Sequence, residues 1–359
     1  MEGKSNIAKK TTRRNLLMGA VASGTALSLS PAIALGNSST AFASTGDFPT
    51  GSESLPTGKQ YQITSGDTSA VVTEEGAGLR VFSVAGQEFL DTYSQDKPVD
   101  SSRGQVLIPF PNRIDMGQYV FNGVTEQLPL NDGSNNNAIH GLTRWMNWSL
   151  HRYEHDSVTL SIVLHAQDGY PFVLAVQETY AVSPGTLRVT TTATNIGATA
   201  LPYGVGHHPY LTLSASRDVI NSDILQLPAN SYFKTNSRLI PLPPPVSVAG
   251  TQFDFRTPHA IGTTVMDTGF ADLIRGSDGL ARVKFSTPGG KPSITVFADA
   301  TYKYLQVYTG DTLSASAQRH GLAVEFYTCA ANAFNNGLGL IVLKPGQSVT
   351  SSWGISVSL

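Results

Sequence analysis

The chain has 359 residues and a formal net charge of -2, with 40% hydrophobic and 14% charged residues. This composition is typical of a globular protein with enough chain to bury a large core, and it fits either one large domain or two smaller ones. A charge this close to zero gives no electrostatic footprint for nucleic acid or an anionic membrane, so neither is expected as a partner.

The first 43 residues have the three-part layout of an export signal. A basic start precedes an apolar stretch of small residues at 16–35, and the small residues at 41–43 offer a cleavage site. The pair Arg13-Arg14 resembles the twin-arginine export motif. We therefore predict a twin-arginine-type signal over 1–43, a periplasmic or secreted location, and no stable membrane association after cleavage. An uncleaved membrane anchor and a coincidental basic-apolar tail are the alternatives.

The rest of the chain has the pattern of a β-protein. Residues 44–59 belong to a stretch rich in Ser, Thr, Gly and Pro, which predicts a flexible lead-in. From Tyr61 onward, short apolar and β-branched runs alternate with Gly, Pro, Asn and Asp, and Val158–Leu164 alternates as a half-buried antiparallel strand does. No long amphipathic helix follows the signal. The pattern predicts one all-β domain over 60–359, a large antiparallel β-sandwich with few short helices.

One run interrupts this pattern sharply, Pro-Leu-Pro-Pro-Pro at 241–245. Proline has no N–H and fixes φ, so the run can be neither a helix nor a central strand. We predict a surface loop inside the domain, and a linker between two domains is the alternative.

Cys329 is the single cysteine, so the chain forms no internal disulfide. Nothing beside it would lower its pKa, and we expect it to pack as a small hydrophobic residue rather than to act as a nucleophile.

Two polar clusters suit the binding of sugar hydroxyls. Asn112 and Arg113 end an apolar run, where an amide and a forked guanidinium could bind several hydroxyls. A structural salt bridge is the alternative for the arginine. His140 precedes a glycine and has Trp145 and Trp148 nearby, so it could hydrogen-bond a sugar that stacks on an aromatic ring. A satisfied buried histidine is the alternative here.

Two further clusters suit acid–base chemistry. His207 and His208 stand in a turn between Gly-Val-Gly and Pro-Tyr that can aim one imidazole into a cleft. A metal site is the alternative, but no Cys-rich or His-x-Glu partner accompanies the pair, so no metal is predicted. Glu325 interrupts an apolar strand. It is either solvent-facing or a buried carboxylate whose raised pKa suits a general base, and spacing alone leaves both open.

These motifs, in this order, resemble the aldose 1-epimerase (galactose mutarotase) family over roughly residues 60 to 357. The motifs are Pro-Phe-Pro-Asn-Arg-Ile at 109–114, His-Gly-Leu-Thr-Arg at 140–144, Gly-Val-Gly-His-His-Pro-Tyr-Leu at 204–211, Met-Asp-Thr-Gly-Phe at 266–270, and Glu325 followed by Asn-Ala-Phe-Asn at 332–335. The resemblance implies a galactose mutarotase-like β-sandwich. It also implies an isomerase that interconverts the α and β anomers of a free hexose such as glucose or galactose, needs no cofactor, and is a monomer or dimer.

The resemblance also implies roles for individual residues. It makes His208 the general acid and Glu325 the general base, with a structural role for His207. Asp272 is the rival of Asp267 for one of the binding positions. The residues that would bind the sugar are Asn112, Arg113, His140, Tyr210 and Asp267.

Two other functions stay open at this point. One is a non-catalytic carbohydrate-binding protein on the same fold, although binding alone does not require an acid–base pair. The other is a glycosidase or polysaccharide lyase on a related sandwich, although glycosidases usually use two carboxylates. Many relatives carry Glu-Pro where this chain carries Glu325-Phe326, so the preferred sugar is open as well. A sugar phosphate is not expected because no extra basic cluster joins the motifs.

Overall fold

The structure, a computed structural model, describes residues 54–214 and 218–359. Both stretches belong to one compact unit, Pro49–Leu359. The predicted export signal at 1–43 lies outside the described residues, and so does most of the lead-in. The boundaries at 43 and 60 therefore stay predictions.

The described residues form antiparallel β-strands with little helix, which confirms the predicted all-β class. The strands of the first half are β1 (Gln60–Ser65), β2 (Thr68–Thr73), β3 (Leu79–Val84), β4 (Gln87–Glu88), β5 (Val106–Leu107), β6 (Arg113–Ile114), β7 (Gln118–Phe121), β8 (Val124–Gln127), β9 (Ala138–Ile139), β10 (Ser149–Tyr153), β11 (Ser157–Leu164), β12 (Leu174–Ser183) and β13 (Thr186–Asn195). Those of the second half are β14 (Leu201–Tyr203), β15 (Gly206–His207), β16 (Tyr210–Leu211), β17 (Ile224–Gln226), β18 (Ala229–Thr235), β19 (Pro241–Ser247), β20 (His259–Ala260), β21 (Asp267–Leu273), β22 (Ala281–Ser286), β23 (Ser293–Ala298), β24 (Tyr304–Tyr308), β25 (Leu322–Tyr327), β26 (Ile341–Leu343) and β27 (Ser348–Ser358).

Helical structure in the described residues is limited to short turns. They are α1 (Ala333–Asn336) and the 3-10 turns Asp115–Gly117, Gly133–Asn135 and Ile220–Ser222. No helix in residues 54–214 and 218–359 is long and apolar enough to cross a membrane.

Two large sheets carry the core. One has nine strands in the order β10-β11-β12-β13-β27-β23-β22-β17-β20, and the other runs β19-β18-β21-β24-β25-β15-β5 with β16 also paired to β25. Buried residues alternate with more exposed ones along β12, because every second side chain of a strand points to the same face. Inward residues of both sheets, such as Val176 and Val324, belong to one apolar cluster. The predicted β-sandwich is thus confirmed.

Strand β25 lies inside the second sheet, between β24 on one side and β15 and β16 on the other. All six of its residues are buried, so both faces of the sheet are covered at this point. Gln306 of β24 stands opposite Glu325, and Gly206 of β15 stands opposite Tyr327. This register gathers polar side chains from neighbouring strands beside Glu325.

The proline-rich run is not the surface loop predicted from the sequence. Residues 241–247 form β19, which pairs with β18 and with no other strand of the described residues, at the edge of the second sheet. An edge strand needs N–H donors on one side only, so prolines are tolerated there although they are excluded from a central strand. The structure therefore corrects the loop prediction and contradicts the domain-linker alternative.

Candidate active site

One open cleft brings together every side chain that the sequence analysis assigned to the site. They come from β6, β16, β21 and β25 and from the turns beside β6, β9 and β15. The predicted residues that line the cleft are Asn112, Arg113, His140, His208, Tyr210, Asp267 and Glu325.

The two adjacent histidines point in opposite directions. His207 turns into the core, where its Nε2 lies 2.7 Å from Oε1 of Glu178 and its ring packs on Trp353 with centroids 5.0 Å apart. His208 turns into the cleft, and its ring stacks on Tyr210 at 5.0 Å. Successive side chains of extended backbone point to opposite faces, which explains the difference. Only His208 is placed to meet a ligand in the cleft.

His208 and Glu325 approach each other in this cleft. Nε2 of His208 lies 3.5 Å from Oε2 of Glu325, and the two side chains are only 7% and 2% exposed. The hydroxyl of Tyr327 donates a hydrogen bond to the same Oε2. Of the two possibilities that the sequence left for Glu325, the structure shows the buried carboxylate.

Burial disfavours the charged form of both groups. Burial, with smaller contributions from Arg103 and Arg144, lowers the pKa of His208 to about 3. It raises the pKa of Glu325 well above its usual value, an effect that the Tyr327 hydrogen bond opposes. Between these two pKa values the pair holds one proton, mostly on Glu325.

The turns that carry Asn112 and His140 brace each other. Both residues adopt left-handed backbone, with φ of 55° and 64°, and the N–H of His140 donates to the carbonyl of Asn112 at 3.0 Å. Gly141 must be glycine because a Cβ there would lie 2.1 Å from the carbonyl oxygen of Ile108. The His140 ring meets that of His208 edge-on, with centroids 5.2 Å apart.

His140 is also an incompletely paired polar group. Its Nδ1 is buried and has no hydrogen-bond partner among the described residues. Burial lowers its pKa well below the usual value, so the ring is neutral and offers one donor and one acceptor. The alternative of a fully satisfied core histidine does not describe this ring.

Arg113 belongs to an ionic network that reaches the cleft. Its Nε lies 2.8 Å from Oδ2 of Asp132, and its Nη1 lies 3.8 Å from Oδ2 of Asp267. The other carboxylate oxygen of Asp267 accepts a hydrogen bond from Nε2 of Gln306 at 2.6 Å. Burial raises the pKa of Asp267 although Arg113 opposes the shift. Arg113 is thus both a salt-bridge partner and a cleft residue.

The rival aspartate lies elsewhere. Asp272 is exposed, accepts a hydrogen bond from Ser231 at 2.5 Å, and lines a different crevice from the one that holds Asp267. Tyr210, in contrast, lines the cleft. The guanidinium of Arg103 lies over its ring, 4.8 Å from the ring centroid.

Several cleft residues had no role in the sequence analysis. Arg144 is 8% exposed, donates from Nη1 to Ser102 at 3.0 Å, and forms no ion pair within the described residues, where its buried Nε also lacks a partner. Its place in the His-Gly-Leu-Thr-Arg motif was the available signal. Gln306 interrupts an apolar strand as Glu325 does, which was a second signal. Ser102 gave none.

The cysteine and possible metal ligands were the other candidates for a reactive site. Cys329 is buried, and burial raises the pKa of its thiol to about 12, as expected for a packed residue. Within residues 54–214 and 218–359, no three His, Cys, Asp or Glu side chains are grouped so that they could hold a metal ion.

Comparisons with known proteins agree on one family. A sequence model of the family described as aldose 1-epimerase matches residues 59–356. The Escherichia coli K12 protein named "Uncharacterized protein YihR" is 34% identical over 291 residues, which cover 81% of this chain and 90% of that protein. Human galactose mutarotase is 28% identical over 203 residues, which cover 55% of this chain and 57% of that protein.

A solved structure shows the same fold. The aldose epimerase homologue from C. elegans superposes with a TM-score of 0.75 at 19% identity, covering 84% of this chain and 98% of that one. With the family model spanning nearly all of the described residues, the chain belongs to the aldose 1-epimerase family.

Proposed function

We propose that the protein is a mutarotase that interconverts the α and β anomers of a free aldose, with Glu325 as general base and His208 as general acid. The observation that carries the proposal is the 3.5 Å distance between Nε2 of His208 and Oε2 of Glu325. The two groups lie in a cleft whose other polar side chains can hydrogen-bond a sugar. Membership of the aldose 1-epimerase family supports the same reaction class.

The reaction needs only proton transfers by this pair. Glu325 takes the proton of the anomeric hydroxyl while His208 gives one to the ring oxygen, and the bond between C1 and that oxygen breaks to give the open-chain aldehyde. Rotation about C1–C2 presents the other face of the carbonyl. The ring oxygen then attacks that face, and the two groups return the protons in reverse. Each proton transfer contributes about 10²–10⁴-fold.

The active arrangement has the carboxylate charged and the imidazole protonated. Since burial places the pair's proton mostly on Glu325, this arrangement is the minor form of the singly protonated pair. Activity is therefore lost above the pKa of Glu325, where the shared proton leaves. It is also lost below about pH 3, where a second proton binds.

The remaining cleft residues hold the sugar. Arg113 and Asp267 present a donor and an acceptor to hydroxyls away from C1, with Asn112 beside them. His140 lines the cleft next to His208 and offers its neutral ring to the sugar. Tyr210 supports the His208 ring by stacking and gives an apolar wall to the cleft.

Polarimetry on freshly dissolved α-glucose and α-galactose tests the proposal. We expect acceleration over buffer, and a fall of kcat by about 10²–10⁴-fold in Glu325→Gln. Asp272→Asn is the matched control because this carboxylate lies outside the cleft. Absence of acceleration with sugar binding intact would favour the carbohydrate-binding alternative. Release of reducing ends from oligosaccharides would instead favour the glycosidase alternative.

One observation favours a narrower substrate class, an aldose that carries an anionic group. The buried guanidinium of Arg144 lines the cleft, donates to Ser102 and lies over the Trp145 ring, but it has no carboxylate partner in the described residues. A buried charge without a counter-ion is costly unless a ligand pairs with it. This finding weakens the sequence argument against a sugar phosphate. Exchange rates for glucose, glucuronate and glucose 6-phosphate, in wild type and Arg144→Met, decide between the classes. A preference for the acidic sugars that disappears in the variant supports this candidate, and equal rates contradict it.

We also propose that the protein is exported through its twin-arginine-type signal. The supporting observation is the sequence of residues 1–43 alone. Cell fractionation with N-terminal sequencing of the mature chain tests the proposal, with Arg13→Lys/Arg14→Lys as the export-defective variant. Unprocessed protein in the cytoplasm for the wild type would contradict it.

A further inference from the structure

Tyr327 is a buried residue that touches the proposed base without lining the cleft. It lies two positions after Glu325 on β25 and is 2% exposed. Its hydroxyl donates to Oε2 of Glu325, the oxygen that faces His208. The side chain of Asn112 in turn interacts with the Tyr327 hydroxyl.

The Tyr327 ring lies against the backbone of Gly206, a residue of the Gly-Val-Gly motif. A Cβ on Gly206 would lie 2.4 Å from Cδ1 and 2.6 Å from Cε1 of Tyr327, and 2.8 Å from Cβ of Pro111. The ring thus fills a slot that exists only because residue 206 has no side chain. This close packing against Gly206 helps to hold the ring where its hydroxyl reaches Oε2.

Charged and titratable groups surround Glu325 from several elements. His208 approaches from the turn after β15, and Tyr210 from β16. Arg113 of β6 and Asp267 of β21 act on the carboxylate with opposite signs. Burial opposes its charge most strongly, and the Tyr327 hydrogen bond favours the charged form.

We propose that Tyr327 is a positioning residue that favours the charged, base-competent form of Glu325 and fixes the orientation of its carboxylate beside His208. Tyr327 acts through Glu325 and does not touch the sugar. The kinetic meaning of the inference rests on the proposed mutarotase function.

The position of the upper pH limb and the plateau of kcat/KM should change together when the Tyr327 hydroxyl is lost. Loss of the hydroxyl raises the pKa of Glu325, so the upper limb of the pH profile of kcat/KM moves to higher pH. The same change draws the shared proton from His208 toward Glu325, so the active arrangement becomes rarer. A shift of one pH unit therefore accompanies a fall of about tenfold in the plateau of kcat/KM.

Tyr327→Phe, which keeps the ring in its slot, tests this link by polarimetry across pH. We expect an upward shift of the upper limb and a matching fall of the plateau, while the KM changes little. Tyr304→Phe is the matched control, since Tyr304 stands opposite Tyr327 on β24 and does not line the cleft. It should leave both quantities unchanged. 3-Fluorotyrosine at position 327 is a stronger donor and should move both quantities the opposite way.

If Tyr327→Phe lowers kcat/KM equally at every pH and the upper limb does not move, Tyr327 has only a structural role. If the pH profile of kcat/KM is unchanged, the proposal is wrong. If Tyr327→Phe does not fold, the near-isosteric 3-fluorotyrosine variant decides alone. If the wild type fails to accelerate mutarotation, the proposed function fails and the Tyr327 proposal is tested separately. NMR titration of 13C-labelled glutamate carboxyls, assigned with Glu325→Gln, should then show a higher Glu325 pKa in Tyr327→Phe, and an equal pKa contradicts it.

Discussion

At the scale of single residues, the bond between His207 and Glu178 ties the two sheets together through the core. Glu178 belongs to β12 of the nine-stranded sheet, and His207 belongs to β15 of the other. Their 2.7 Å contact is fully enclosed, with Glu178 at 0% and His207 at 3% exposure. Because His208 is the next residue, the bond also helps to fix the turn that carries the proposed acid.

We predict that Glu178→Leu lowers the free energy of unfolding by about 1–3 kcal/mol, since it leaves His207 buried without its partner. Urea unfolding followed by fluorescence measures the change. The double variant Glu178→Leu/His207→Leu should recover part of the loss because neither polar group is then stranded. Additive losses in the double variant would show that the bond contributes nothing.

The sequence was sufficient to predict which residues meet at the site but not how they are paired. Motif order assigned Glu325, His208 and the residues that would bind the sugar, and the structure brings all of them to one cleft. The partner Glu178 could not be foreseen, because its strand has no motif and pairing across a sandwich depends on tertiary register. The missing carboxylate partner of Arg144 was hidden for the same reason.

At the scale of elements, the Gly-Val-Gly motif serves to admit two side chains from the segment that begins with β25. A Cβ on Gly204 would lie 2.3 Å from Sγ of Cys329, and one on Gly206 would lie 2.4 Å from the Tyr327 ring. The sequence showed only a constrained turn here. The structure shows that the glycines let β15 approach β25 closely.

We predict that Gly206→Ala destabilises the fold by about 1–3 kcal/mol through overpacking and reduces kcat by displacing Tyr327 from Glu325. Gly289→Ala is the control, since the nearest atom to a Cβ there is 4.0 Å away. Thermal unfolding and polarimetry should both separate the two variants. If Gly206→Ala changed neither the thermal stability nor kcat, the Tyr327 ring would be able to shift without losing its contact with Glu325.

The strand pattern was largely predictable from the sequence, and the one local error has a physical cause. The run 158–164 falls within β11, because alternation of apolar residues is a local property. The prolines at 241–245 were assigned to a loop, because whether a strand lies at an edge depends on the whole sheet. Strand order cannot be obtained from local periodicity.

At the scale of the whole molecule, the buried site makes stability depend on pH in two opposite ways. The pKa of His208 falls from 6.5 to about 3 on folding, so the unfolded chain binds a proton there first and stability is lost as pH falls below about 6.5. His140 acts in the same direction. The pKa of Glu325 is raised above 4.5 on folding, so its contribution is lost as pH rises above that value.

We therefore predict that His208→Asn reduces the loss of unfolding free energy between about pH 7 and pH 5. Urea unfolding at several pH values measures this slope for the wild type and the variant. His151→Asn, which removes an exposed histidine of β10, is the matched control and should keep the wild-type slope. Equal slopes for His208→Asn and the wild type would contradict the neutral, buried state of His208.

The proline-rich strand at the edge of the second sheet has a consequence for how copies of the protein meet in concentrated solution. A free sheet edge is a template on which another chain can add a strand, which is a common start of aggregation. Along β19 the prolines at 243, 244 and 245 remove the N–H groups that such an added strand would need. The β19 edge of the sheet is therefore a poor template for strand addition by another copy of the folded protein, although most of its residues are exposed to solvent.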